Sequence, residues 1–373
     1  MSTVRLSVSA SGPAAGYPGH HASNPNMLPQ LMEAAMNCVR DYVQVQRSER
    51  VLVVAEIDTD PLVVGSLASA ATLLGADVAT ITVPSFSAGG FDPETPGEML
   101  MGAFERADVV ISCAYFEFAH SEKTFFDKLF SSRKRVCSLI MGATAGCMVT
   151  GGRFPIEIMQ AIGDRALKIF DGAKKVRYVT VSGTDLTFEE PKGYTTIAPM
   201  KPGSWSIFPP MGINFYPENS NGVIVFDEST LHGKPAAPIR LHIENNHVAK
   251  VEAGAQADLA TIEAFSNGRY YMRHSVVGLN PKTRMSNAPQ FERERAAGTC
   301  YLGVDGTPDG KIDRSQPGYA HLDVIFDTPT VYVDDTLMVD SRKLLLLDDP
   351  TLHEVARKFG DPKRLLAQNP FLW

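Results

Sequence analysis

The sequence predicts an α/β protein built as two lobes. The first is a Rossmann-like lobe on a parallel sheet. The second is an α+β lobe on an antiparallel, barrel-like sheet. Up to residue 182, short apolar runs rich in β-branched residues alternate with helix-spaced segments, the pattern of βαβ units. From Gly183 the spacing changes to short strands punctuated by Pro, Asn and Gly, the pattern of hairpins. A chain of 373 residues is also longer than one hydrophobic core usually fills. The expected division is a loosely ordered arm over 1–26, an α/β lobe over 27–182 and a β-rich lobe over 183–373.

The arm is rich in Ser, Ala, Gly, Pro and His, and its His20-His21 pair reads as an exposed tail. Leu28, Leu31, Met32, Ala35, Met36, Cys38 and Val39 fall on one face of a helix running to about Val45. Val51–Ala55 is a buried strand. Pro61 opens a helix that Gly75 ends, and Val78–Val83 is the next strand. A helix at Glu98–Arg106, a strand at Val109–Cys113, a short helix at Phe125–Ser131 and a strand at Arg135–Met141 continue the alternation. Phe154–Phe170 is helical and Lys175–Ser182 reads as one more strand. In the second lobe the strands are Thr184–Phe188, Val223–Phe226, Ile239–Glu244, His247–Val251, Tyr332–Val333 and Thr336–Val339. Asn219–Gly222, Glu244–Asn246 and Asp334-Asp335 read as turns between them. Helices are expected at about Ala257–Phe265 and near Pro350–Phe359. The closing Asn369–Trp373 can tuck aromatics onto the core or a partner.

Composition excludes several functions. The net charge of −7 provides no general basic surface for nucleic acid. Apolar runs fall far short of the ~18–20 residues of a membrane span. Five scattered cysteines without CxxC spacing fit a reducing compartment, and no signal-peptide pattern opens the chain, so cytoplasm is expected. After the first strand the chain reads Glu56-Ile-Asp58-Thr-Asp60-Pro61. This is no glycine-rich phosphate loop, and its carboxylates repel a pyrophosphate. No Walker motif occurs. Asp305–Asp313 lacks the spacing of a calcium loop.

The chemistry-bearing residues cluster late in the chain. His321-Leu-Asp323 lies in an apolar, β-branched run, so His321, Asp323 and Ile325 share one strand face and Leu322, Val324 and Phe326 the other. Residues two apart on a strand stand about 6–7 Å apart, within reach of one metal ion. His274 lies in a strand that Gly278 and Asn280-Pro281 close, and simple alternation puts Met272, His274 and Val276 on one face. Two imidazoles and a carboxylate are the ligand inventory of a facial Fe2+ site and equally suit catalytic zinc. Glu218 is a carboxylate in a turn-rich stretch. Trp205 and Phe208, within 194–210, are candidates to stack on an aromatic ring.

In order along the chain stand Ser182-Gly-Thr-Asp-Leu-Thr187, Pro217-Glu-Asn-Ser-Asn-Gly222, Gly278-Leu-Asn-Pro281, Gly298-Thr299, His321-Leu-Asp323 and Val331-Tyr-Val-Asp334. This series resembles the thermophilic aminopeptidase family of metallopeptidases and its divergent branch, the 2,5-dihydroxypyridine 5,6-dioxygenases. Where the aminopeptidases carry further ligands for a second metal, this chain has Ile213, His274 and Cys300-Tyr301. The resemblance therefore implies the dioxygenase branch, with one Fe2+ (alternatively Zn2+ or Mn2+) on His274, His321 and Asp323. It also implies Glu218 as a further ligand or acid/base, and His120, in Phe118-Ala-His120-Ser-Glu122 beyond a strand end, as general base. The expected activity is O2-dependent opening of a hydroxylated N-heteroaromatic ring by a homo-oligomer. The alternative is a metallohydrolase that uses metal-activated water on the same residues.

Overall fold

The computed structural model describes residues 24–84, 98–114, 133–139, 143–195, 197–226, 239–253, 271–286, 288–305, 321–326 and 328–373. The helices expected at Phe125–Ser131 and Ala257–Phe265 lie outside these residues.

The first sheet is parallel throughout. It contains β1 (Arg50–Glu56), β2 (Asp77–Val83), β3 (Val109–Ser112), β4 (Arg135–Ser138) and, from later in the chain, Ser204–Ile207, in the order β2-β1-β3-β4 and then 204–207. The central strands are apolar on both faces because both are covered. Val51, Val53 and Ala55 pack on the side of the helices Leu28–Met36 and Pro61–Leu73. Leu52 and Val54 pack on the side of the helix Glu98–Arg106 with Leu100 and Phe104. The first helix widens into a π-helical stretch at Asn37–Tyr42, so helical backbone reaches close to the expected end. Asp60 caps the helix Pro61–Leu73, accepting from the Leu62 amide at 3.0 Å. A carboxylate thus occupies the helix N-terminus where a phosphate would sit, consistent with the missing nucleotide motif.

The second sheet is antiparallel and takes the remaining strands. In chain order these begin with β5 (Lys175–Val179), β6 (Asp185–Glu189) and β7 (Lys192–Thr195). Ser204–Ile207, in the first sheet, is β8. There follow β9 (Gly212–Tyr216), β10 (Asn219–Phe226), β11 (Ile239–Glu244), β12 (His247–Ala253) and β13 (Tyr271–Gly278). The last are β14 (Cys300–Asp305), β15 (His321–Phe326), β16 (Thr330–Val333), β17 (Thr336–Asp340) and β18 (Lys343–Leu344). The path runs β15-β14-β13-β12-β11-β10-β6-β5-β16-β17-β18, and β9 joins β13 to β7. The amphipathic helix Ile156–Phe170 lays Ile158, Met159, Ile162, Ala166 and Phe170 against this sheet's inner face. The four larger of these side chains each contribute about 1.5–3 kcal/mol when fully buried. Gly172, at φ +73°, follows as the left-handed residue that ends the helix.

Three expectations need correction. Lys175–Val179 is not a parallel strand of the first sheet; it pairs antiparallel with β6 and β16. Val176 and Tyr178 are buried while Lys175 and Arg177 are exposed, the alternation of a sheet with one wet face. Asn219–Gly222 is not a turn but the first half of β10, paired with β6. Its polar side chains brace a neighbouring turn instead: Ser220 Oγ donates to Asn246 Oδ1 at 2.7 Å, and Asn221 Oδ1 accepts from the Asn245 amide at 3.0 Å. The turns at Asn245-Asn246 and Asp334-Asp335 do form. Finally, Phe208 packs in the core and is not open to a ring, while Trp205 is half-buried. Trp205 lies in β8 and its indole donates to Ser138 Oγ at 3.0 Å, while Phe208 is fully buried against Tyr42.

Among the described residues, no helix is long and apolar enough to cross a membrane. All five cysteines are free and buried.

Candidate functional site

The outer face of β9, β13, β14 and β15 carries the candidate site. Ile213 and Phe215 of β9, Met272 and Val277 of β13, Leu302 and Val304 of β14, and Val324 of β15 all point into the core. The residues between them face the other way. Val276, Tyr301 and Ile325 form a small apolar cluster there, with Met211 against it.

His274 reaches this face through a local irregularity. The β13–β14 register shifts between Met272 and His274, a β-bulge that adds one residue to β13. Met272 therefore packs in the core while His274 and Val276 face outward, correcting the single face that simple alternation predicts. The next residue, Ser275, turns inward. Its Oγ donates to the Tyr301 carbonyl at 3.1 Å and lies 2.7 Å from the Tyr178 hydroxyl. Burial pushes the Tyr178 phenol well above its usual range, so this anchor stays protonated.

The register places His274 opposite Gly303 and Gly303 opposite Asp323, one row across three strands. His274 Nε2 stands 3.9 Å from Asp323 Oδ1, and both side chains are mostly buried. That separation is too long for a hydrogen bond. It is shorter than the roughly 4.2 Å spanned by two metal–ligand bonds of about 2.1 Å, so one cation reaches both atoms. The imidazole meets Tyr301 edge-on, with ring centroids 5.9 Å apart, and tilts toward Tyr216 at 6.3 Å. Tyr301 is buried, whereas Tyr216 is 40% exposed.

Two residues matter here that sequence reasoning does not single out. Gly303 lies beneath the imidazole: a Cβ there would stand 2.1 Å from His274 Cε1 and 2.3 Å from Nδ1. An isolated glycine inside a strand-like run is the signal that could have found it. Tyr216 lies two residues before Glu218, and alternation against core-facing Phe215 puts it on the site face.

The other expected residues stand as follows. His321 is the first residue of β15, two before Asp323 and opposite Asp305; its side chain lies outside the described residues. His120 lies outside them altogether. Glu218 follows β9, exposed, and its carboxylate is ion-paired with Lys192 of β7. Among the described side chains, no group of three or more potential ligands forms, and the metal set extends there to His274 and Asp323.

The donor chemistry fits a divalent metal that accepts imidazole and carboxylate. The glycine trough, which any Cβ would fill, holds the imidazole beside the carboxylate. Fe2+ and Zn2+ both suit this set.

Comparison with known proteins gives the fold and the family. A 2,5-dihydroxypyridine dioxygenase from Pseudomonas putida KT2440 aligns over 86% of this chain and 98% of its own, with a TM-score of 0.65 at 18% identity. Wild-type AmpT from Thermus thermophilus aligns over 85% and 99%, with a TM-score of 0.57 at 14% identity. Both likenesses show a shared fold of parallel and antiparallel sheets. No curated protein matches. The family model for NicX, 2,5-dihydroxypyridine 5,6-dioxygenase, matches residues 31–345, and the chain belongs to this family of ring-cleaving dioxygenases.

Proposed function

We propose that the protein binds one Fe2+ through His274, His321 and Asp323 and opens a hydroxylated N-heteroaromatic ring of the 2,5-dihydroxypyridine kind with O2. The observation that carries this reading is the pairing of His274 and Asp323 at 3.9 Å across Gly303, on a face of the sheet away from its core. Bound there, Fe2+ would supply O2 activation and a Lewis-acid seat for the substrate hydroxyl.

The chain's own groups supply the rest. Tyr216, half exposed beside His274, offers a π face to an aromatic ring. Val276, Tyr301 and Ile325 form an apolar floor that keeps water from the reacting atoms. His120 takes the proton of the ring hydroxyl on an imidazole nitrogen, a transfer suited to a group that titrates near neutral pH. Glu218, held at the rim by Lys192, acts as a further ligand or as an acid/base.

The same reading includes a barrel-like curl of the second sheet. It is supported by contact between β10 and β15, which four intervening strands separate in the sheet order. It keeps 27–182 and 183–373 as two lobes that exchange β5 and β8; residues 1–23 of the expected arm lie outside the described residues. It includes a cytoplasmic homo-oligomer, and the five free cysteines fit that compartment.

Oxygen uptake with a panel of hydroxypyridines, beside an anaerobic control, tests the chemistry. Turnover is expected only with O2, and turnover under strict anaerobiosis sinks the dioxygenase in favour of the metallohydrolase. Metal analysis of anaerobically purified protein is expected to find about one iron per chain. His274→Ala should lose it, while His120→Ala should keep the metal and lose rate.

A further inference from the structure

We propose that Gly303 is a positioning residue of the metal site. Its lack of a side chain opens the trough along which the His274 imidazole crosses β14 to meet Asp323. This rests on the Fe2+ reading above and extends it to a residue that bears no ligand atom.

The geometry separates this glycine from the others near it. Gly303 does not have the left-handed φ of Gly222 or Gly298, so its backbone suits any L-residue. At Gly212, Gly278 and Gly298 an added Cβ would strike backbone carbonyl oxygens at 1.9, 2.2 and 1.8 Å. At Gly303 the three nearest atoms all belong to one imidazole: His274 Cε1 at 2.1 Å, Nδ1 at 2.3 Å and Nε2 at 2.9 Å. Glycine weakens a strand interior, and here the backbone conformation does not require it. What requires it is the ring lying across it.

The ring has little alternative. Tyr301 blocks one flank and Tyr216 stands on the other, 5.9 and 6.3 Å away between centroids. The bulge at Met272/His274 fixes which face the ring leaves from. A methyl at position 303 therefore lifts the imidazole away from the sheet, on the side where Tyr216 is exposed, and away from Asp323. The strand can stay intact while Nε2 loses its place.

The test is Gly303→Ala, alone and combined with His274→Ala. Far-UV circular dichroism and thermal melting of the metal-free proteins report the fold. Anaerobic Fe2+ binding, with Co2+ absorption as a spectroscopic probe, reports the site. Gly303→Ala should retain the fold and lose about 10–100-fold in metal affinity, the range seen when a ligand loses its outer support. In the His274→Ala background, where the metal is already lost, the same substitution should leave the melting temperature of the metal-free protein unchanged. Wild-type metal affinity in Gly303→Ala, or a fall in melting temperature that is the same with and without the His274 ring, overturns the proposal. Should Gly303→Ala alone fail to fold, the double variant decides: recovery supports the contact with the ring, and continued unfolding refutes it. If the wild-type protein binds no metal, the Fe2+ reading fails separately. The imidazole 1H–15N resonances of metal-free protein then still test the contact, and unchanged His274 signals in Gly303→Ala overturn it.

Discussion

Lys282 sits in the turn after β13, and its ammonium is the clamp for the end of the chain. The side chain is fully buried, yet Nζ lies 2.6 Å from the Arg364 carbonyl, 3.0 Å from Ala367, 3.1 Å from Asn369 and 2.6 Å from Leu372. An ammonium has three protons, so at most three of these carbonyls are fully bonded at once. Hydrogen bonds to a charged group contribute roughly 1.5–3 kcal/mol each, against a desolvation penalty of several kcal/mol for a buried ion. The net worth of the clamp is therefore on the order of 3 kcal/mol. Lys282→Met keeps the apolar stem and removes the charge; the Arg364 and Leu372 carbonyls lose this donor, while Ala367 and Asn369 keep backbone amides on theirs. The cost should fall on the tail, because a terminal segment can open without unfolding the sheet. Amide hydrogen exchange over residues 366–373 should speed up about 100-fold, the rate equivalent of roughly 3 kcal/mol, with β13 and β14 unchanged. Trp373 stacks under the Arg153 guanidinium at 4.3 Å and gives a second readout. In a Trp205→Phe background, which leaves Trp373 as the sole tryptophan, acrylamide should quench it more strongly once the clamp is lost. Unchanged tail exchange, or acceleration spread evenly over the chain, would refute the reasoning.

Gly222→Ala should destabilise by roughly 2–4 kcal/mol, because Gly222 has φ +136° and a Cβ would meet the Asp185 carbonyl oxygen at 2.1 Å; a urea midpoint equal to wild type would contradict this. Arg284 and Glu292 form a buried bidentate pair at 2.8 and 2.6 Å, so Arg284→Met alone should cost roughly 3–5 kcal/mol by stranding the carboxylate. Adding Glu292→Leu should recover much of that loss, and additive penalties in a double-mutant cycle would argue against the pairing. The hydrogen-bonding Arg50 guanidinium pulls the Asp108 carboxyl down to about 2. A depressed folded pKa contributes stability above the unfolded value near 3.9, and this is lost as pH falls through about 2. Both partners are exposed enough that solvent screening limits the effect to roughly 0.5–1 kcal/mol. Urea titrations of Asp108→Asn should differ from wild type by that amount at pH 7 and converge near pH 2; a gap that persists in acid would assign it to another cause.

The parallel sheet is legible in the sequence because its central strands are buried on both faces and read as unbroken apolar runs, as at Val51–Ala55. Lys175–Val179 follows a helix as those strands do, and its position in the chain hides its alternating burial, which marks the other kind of sheet. Ser204–Ile207 leaves almost no pattern, since its four residues are each half-buried between turn-forming neighbours. That His321 and Asp323 lie two apart on one strand is legible in the sequence, because local rules govern it. The face of His274 is not, because a bulge of one residue inverts every side chain before it, and nothing in Tyr271-Met-Arg-His274 signals the extra residue. Gly303 is hidden for a different reason: its role exists only once β13 and β15 lie on either side of it.

These placements also alter why a second metal is not expected. From sequence, Ile213 and Tyr301 both stand where the aminopeptidases carry ligands. The two positions are not equivalent. Ile213 points into the core with Phe215, so no side chain at 213 would face His274 in this register. The outward residues of that strand are Asn214 and Tyr216, and they contact each other, with Asn214 Nδ2 donating to the Tyr216 hydroxyl at 3.3 Å. Tyr301, by contrast, is on the site face, buried and edge-on to His274. A phenol can ligate a metal, but this hydroxyl is turned toward the Met211 sulfur at 3.7 Å. Of the two positions, only Tyr301 stands beside His274. The same ring walls in the His274 imidazole, edge-on at 5.9 Å.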